Sequence, residues 1–195
     1  MHTPGHVVLN LWLLGGGAPS LPALPILVGA IAPDVPIVIL YLRERYLRGL
    51  PEERIWRESY QRPFWLNLIH GVHSLPLALA GALGGLALGS AMVTAFFASV
   101  FLHALADLPL HAEDAHRHFL PFSHYRLISP LSYWDVRYHA RTVALIEALA
   151  VCLAAAWLAR EASTSARLLL ASVGVWYLVN YARTFLSTAW RSFLS

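Results

Sequence analysis

Charge is scarce in this sequence. Only 13% of its 195 residues are Asp, Glu, Lys or Arg, where ordinary soluble domains carry about a quarter. Lysine is absent, so every basic residue is arginine. That choice suits phosphate or headgroup contacts, and a biased genome composition would produce it as well. A single cysteine, Cys152, lies inside an apolar run. It excludes a disulfide framework and reads as a small buried hydrophobe. No basic segment precedes the first apolar stretch, so a secretory signal is not expected. Repeats and low-complexity linkers are also missing. What fills the chain instead is apolar: 57% of residues are hydrophobic and the mean hydropathy is +0.55. These values point to lipid as the solvent and to one compact domain.

The apolar residues come in short runs. Val7–Leu14 is broken by Gly15, Gly16, Gly17 and Pro19. Leu21–Ala32 ends at Pro33-Asp34, and Val35–Tyr46 reads as a helix with Asp34 as its N-cap. Arg43–Arg62 mixes arginines with Tyr46, Trp56 and Tyr60, as membrane-interface segments do. His73–Asp107 is too long for one crossing. A break at Gly89-Ser90 divides it into two antiparallel helices, roughly 71–88 and 91–107. After a polar, His-rich stretch from His111 to Arg141, a span runs from Thr142 to Leu158. Arg160–Arg167 is then a short loop and Leu168–Phe185 a last apolar helix. The expected fold is an all-α, membrane-embedded bundle of short helical hairpins. Residues 1–141 would form a metal-site region and 142–195 a C-terminal apolar helical hairpin.

The potential metal ligands fall at one end of these helices. His103 and Asp107 are four apart, which stacks both side chains on one helix face. His and Asp are ordinary ligands for zinc, manganese or iron. An antiparallel hairpin brings His70 and His73 to the same end, and a hairpin of the earlier segments does the same for His6 and Asp34. His111, Glu113, Asp114, His116 and His118 follow directly. Arg117, Arg126, Arg137, Arg141, Arg183 and Arg191 lie on the site's side, Arg160 and Arg167 on the other. Arg43 to Arg62 join the site's side if Val35–Tyr46, about 18 Å long, is too short to cross. The positive-inside rule then puts the site on the cytoplasmic face of a bacterial inner membrane. Bland readings stand beside these. The arginines could anchor at headgroups, Tyr133-Trp134 could be an aromatic belt, and Glu147 could be a buried interhelical acid.

Four segments also carry a resemblance: TPGHVVLN around His6, GAIAPDVP around Asp34, IHGVHSLPL around His73, and FLHALADLPLHAEDAHRHFLPFS around His103 and Asp107. Together they resemble a family of membrane-bound metal-dependent hydrolases known mostly as a domain of unknown function. One bacterial member belongs to the LexA-regulated DNA-damage response, and the family is thought to be distantly related to zinc-dependent phospholipase C. The resemblance implies a phospholipase C-like site with His6, Asp34, His73, His103 and Asp107 as ligands. Pro36 stands where the family often has a second acid, and His70 and His73 are closer together than its usual histidine pair. HAEDAHRH is richer in ligands than the family's version and could supply replacements.

The function expected is hydrolysis of a phosphoester or lipid-linked phosphate. The metal sought is a divalent ion, zinc first with manganese or iron as alternatives, as one or two ions. Arg117, Arg126 and Arg137 are candidates for holding the phosphate, and Asp114, Asp135 and His139 for acid–base work. Membrane lipid is the expected surrounding, and no nucleic-acid partner is expected. The alternative is a non-enzymatic membrane protein with a structural metal and an Arg-rich face for a partner or headgroups. A transporter is disfavoured, since the spans carry few ionisable groups beyond Glu147.

Overall fold

A computed structural model describes residues 1–16 and 21–186. Among the described residues the chain is helical, with no strand. Helix α1, Thr3–Gly15, has a proline in its first turn, where the missing N–H breaks no helix bond. Helix α2, Ala23–Ile31, is followed by a three-residue turn and by α3, Val35–Leu42, which widens into a π turn at Arg43–Leu47. The short α4, Glu52–Arg54, leads into a second π turn, Ile55–Ser59, and then α5, Pro63–Val72. Arg43–Arg62, expected as an interfacial segment, is thus largely helical.

Helix α6, Leu75–Ala87, is capped by Ser74, whose hydroxyl accepts from the Leu77 amide. Gly89, at φ +64°, turns the chain. Ser90 then caps α7, Ala91–Asp107, in the same way. The turn falls at the expected break, but the first helix begins later than expected. His70 belongs to α5 and His73 is its C-cap, so both lie where α5 and α6 meet at a 47° bend. A long irregular segment carries the chain to α8, Ala140–Leu158, and Ser163 caps α9, Thr164–Tyr181. The expected loop to Arg167 therefore ends earlier. Arg191 and Pro19 lie outside the described residues.

Helices α1, α2, α6, α7, α8 and α9 pack side by side. Close approach between α2 and α7 depends on Gly29, which faces the Phe96 carbonyl and Ser99. Between α6 and α7, Gly85 meets Thr94. Small residues let membrane helices come together without a hydrophobic drive from water. Polar contacts add to this. Buried Asn10 on α1 donates to the Ser99 carbonyl and hydroxyl at 2.9 Å each, and Ser99 donates to the Ile26 carbonyl at 2.6 Å. Outward, Leu83, Leu86, Met92, Leu153, Leu168 and Leu169 are all more than half exposed, a surface suited to lipid.

Two helical runs are long and apolar enough to cross a membrane, Ala23–Leu47 and Ala140–Leu158. The first corrects an expectation. Val35–Tyr46 is indeed too short to cross alone, but it continues α2 in a run of 25 residues, and so reaches about 20 Å beyond Asp34. There Leu40, Trp65 and Ile69 pack α3 on α5. Fully buried Glu44 accepts from Arg48 and Ser59 at 2.9 Å, tying the two π turns together. The layer containing Asp34 thus separates a helical bundle from a smaller α3–α5 cap.

Replacing Gly29 by Ala would put a Cβ against the Phe96 carbonyl and 2.9 Å from Ser99 Cβ. Backbone on that side cannot yield as a side chain tip can. The change should cost about 1–3 kcal/mol, read as a lower thermal midpoint in detergent. Gly84→Ala, where nothing lies within 4 Å, should leave the midpoint nearly unchanged.

Candidate metal centre

Six helix termini meet at one layer: the starts of α1, α6 and α8, and the ends of α2, α7 and α9. His6 is one turn into α1, Asp34 follows α2, His73 joins α5 to α6, and His103 and Asp107 occupy the last turn of α7. The fold brings all five together. His103 Nε2 is 3.2 Å from Asp107 Oδ2 and 3.6 Å from Asp34 Oδ1. His73 Nε2 is 3.9 Å from Asp107 Oδ2 and 4.0 Å from Asp34 Oδ1. His6 Nε2 lies 3.1 Å from Asp107 Oδ1. Two triads, His6–His103–Asp107 and Asp34–His73–His103, are close enough to hold a metal ion. Ligand atoms around a tetrahedral zinc stand about 3.3–3.4 Å apart, given zinc–ligand bonds of about 2.0–2.1 Å, and the separations here are of that size.

The orientation of the imidazoles is the stronger sign. His73 Nδ1 donates to the Ile69 carbonyl at 2.8 Å, and His103 Nδ1 to the Ala30 carbonyl at 2.8 Å. His118 Nδ1 donates to the His73 carbonyl at 3.0 Å. A carbonyl can only accept, so Nδ1 carries the proton in all three rings and Nε2 carries a lone pair. Each of these Nε2 atoms is buried without a hydrogen-bond partner. Buried polar atoms are rarely left unpaired. Histidines tethered at one nitrogen with the other free are the usual arrangement around a metal, and the donor set fits a divalent ion. Because His103 Nδ1 is engaged, its one lone pair serves one ion only, so the two triads cannot both be filled through it.

Asp34 holds the N-cap position of α3 but makes no capping bond. Its Oδ2 accepts from the Thr3 hydroxyl instead, leaving Oδ1 toward the histidines. Asp107 Oδ1 also meets the Met1 amino nitrogen at 2.6 Å.

The loop after α7 supplies an outer layer. His111 Nε2 is 3.7 Å from Asp107 Oδ1, and its Nδ1 is 2.8 Å from Asp114 Oδ2. Asp114 also accepts from the Trp134 indole at 3.0 Å. Burial lowers the His111 pKa, but hydrogen bonds to Asp107 and Asp114 outweigh it and hold the pKa above its ordinary value. A proton thus settles where two carboxylates favour a cation, and a metal ion would displace it. His116 stacks on His73 at 4.1 Å between centroids. Burial, followed by the nearby His73 and His111, pushes its pKa well down, and its Nδ1 is unpartnered. His70 is placed differently. Its Nδ1 accepts from the Arg117 amide at 3.2 Å, so its remaining nitrogen carries a proton and offers no lone pair.

A cavity of about 740 Å³ opens beside the centre, bordered by His70, His111 and His116. Arg117, Arg126 and Arg137 line it. Arg126 donates to the Ala115 and Glu113 carbonyls at 2.6 Å. Arg137 is held by Asp135, with contacts of 2.6–3.1 Å. Arg117 contacts only the exposed His124 ring through its guanidinium, at 3.3 Å, and is the freest of the three. Asp114 and Asp135 border the cavity; His139, exposed at the start of α8 with φ 60°, does not. Sequence reasoning missed Trp56 and Tyr60 as cavity walls, because they lie some sixty residues from the loop they face. It also missed the Ala30 and Ile69 carbonyls, which no side-chain pattern encodes.

The detergent-purified protein should carry a divalent metal by elemental analysis, and His103→Ala/Asp107→Ala should lose it. An unchanged metal content in that variant would place the ion elsewhere.

No family model, curated protein or solved structure matches the chain.

Proposed function

We propose that this protein is a membrane-embedded, metal-dependent hydrolase of a phosphoester or lipid-linked phosphate, akin to the hydrolase family its motifs resemble. The observation that carries the reading is the set of unpartnered imidazole nitrogens beside a 740 Å³ cavity with a free arginine. His73, His103, Asp34 and Asp107 would hold one ion, with zinc the best fit to nitrogen and carboxylate donors. His6 and His111, with the other oxygen of Asp107, would hold a second. Bound there, an ion supplies Lewis acidity and a water acidic enough to attack at neutral pH.

The chain's own residues do the rest. Asp114 fixes the His111 ring, as carboxylates do for metal-bound histidines. Arg117 presents its guanidinium to phosphate oxygens, for which the planar fork is suited. Ile37, Trp56 and Leu66 give the cavity an apolar wall for the non-phosphate part of the ester. Asp135, occupied by Arg137, acts as its anchor rather than as a base. The site is proposed to face the cytoplasm of a bacterial inner membrane. The Arg-rich segments 43–62 and 117–141 lie on the site's side of the bundle, in keeping with the positive-inside rule.

The alternative, a structural metal, draws on a specific feature. Four donors from His73, His103, Asp34 and Asp107 around one ion would complete a tetrahedral shell, and closed shells are the mark of structural zinc. His73→Ala separates the two readings. A hydrolase loses turnover while keeping its melting temperature to within a few degrees; a structural site loses the fold. In the hydrolase, Arg117→Gln should lower kcat/KM for an aryl phosphoester on the order of tenfold or more, with metal content unchanged. Orientation is read separately: a Ser123→Cys thiol should be labelled from the cytoplasmic side only, and labelling from the opposite side alone would reverse the topology.

A further inference from the structure

Across the wall formed by Tyr133 and Trp134, which line both spaces, the main cavity adjoins a side pocket of about 160 Å³. Its other walls include Tyr177, Tyr181 and Phe185, and at its base is Glu147 of α8. Glu147 is 5% exposed. Its Oε1 accepts from the His2 amide at 2.9 Å and from the Tyr177 hydroxyl at 2.7 Å. These bonds fix the carboxylate, and Gly5 is the neighbour that permits them: a Cβ there would strike the Tyr177 hydroxyl and lie 3.2 Å from Oε1. The second oxygen, Oε2, is buried and has no partner. Two neutral donors do not cancel a full negative charge, and a buried charge left without a counter-charge is strongly destabilising. The pocket therefore favours a cation.

The walls say which kind. Glu147 belongs to neither of the ligand triads found among the described residues, so the pocket lacks the set of oxygens and nitrogens that replaces the hydration shell of a metal ion. Most of its lining is aromatic, and aromatic faces attract weakly hydrated organic cations. The volume equals that of about five waters at roughly 30 Å³ each, comparable in heavy atoms to a trimethylammonium group. The centre itself is close by. Met1 nitrogen contacts Asp107 and the adjacent His2 nitrogen contacts Glu147, so the two carboxylates stand within about 9 Å of one another.

We propose that this pocket binds a methylated ammonium group, carried by the same molecule whose phosphoester enters the main cavity. The substrate class is then a phosphoester bearing an alkylated ammonium on one side. That last step rests on the hydrolase reading; the cation site itself does not.

The test is binding of tetramethylammonium chloride to the detergent-purified full chain, followed by tryptophan fluorescence and calorimetry, with sodium chloride at equal ionic strength as the control. Saturable one-to-one binding is expected, with the dissociation constant raised on the order of tenfold in Glu147→Gln. Tyr181→Leu, which removes a ring without touching the buried acid, should weaken binding too, and guards against a Gln variant that fails to fold. Retained metal content marks each variant as folded. Absence of saturable binding to the wild type, or equal binding by both folded variants, overturns the proposal. Hydrolysis of an aryl phosphodiester with and without an attached trimethylammonium is measured alongside. Tetramethylammonium binding without hydrolysis of either ester upholds the cation site and overturns the phosphoester reading. Equal hydrolysis of both, without tetramethylammonium binding, does the reverse.

Discussion

A carboxylate withdrawn from water costs several kcal/mol unless charge and hydrogen bonds replace the lost solvation. Asp107 is 2% exposed and sits where α7 ends, so this constraint shapes everything around it. His6, His73, His103 and His111 all lie within 4.0 Å of its two oxygens. They come from different parts of the chain, and the short helices are the means of delivering them. Helices of nine, 13 and 17 residues stop or start at one level because their polar residues must meet there. Above that level the chain satisfies itself with apolar helix packing and a few buried polar knots. Below it, the loop from His111 to Arg141 and the α3–α5 cap enclose a cavity.

Much of this arrangement was legible in the sequence. The i, i+4 pair His103–Asp107 gave a helix face, and Gly89-Ser90 gave the reversal that returns it to His73. The hairpin argument for His6 and Asp34 needed only that two short apolar runs be antiparallel. What could not be read was of two kinds. Distances between loop and cap, which place Trp56 and Tyr60 opposite Asp114, depend on tertiary packing with no local signal. The direction of α3 was the other. A length of twelve residues argued against a crossing, and only the nearly straight continuation from α2 shows how far the run extends. Asp34 illustrates how a local rule yields to a tertiary demand. Its type and position suit an N-cap, yet its side chain turns to Thr3 and the histidines. Such departures from local preference are characteristic of functional sites.

The arginines show why residue type alone does not assign a role. Arg117, Arg126 and Arg137 border the same space, but two of them are committed. Arg126 braces the His-rich loop by its carbonyls, and Arg137 is held by Asp135. A guanidinium whose donors are already used is poorly placed to gain from an incoming phosphate, whereas Arg117 has donors in reserve. His70 and His73 divide in the same way: the first has its lone pair occupied by an amide, the second has one to give.

The tethering of His73 and His103 through main-chain carbonyls has an evolutionary corollary. The groups that set their tautomers belong to Ile69 and Ala30, but the side chains of those residues take no part. Any residue that keeps the helix in place would present the same carbonyl. Drift at these two positions would therefore leave the imidazoles aimed as before, and the second sphere of the site would leave little trace in an alignment. Its signature is carried by backbone geometry, and relatives that have diverged widely in sequence could share it unchanged.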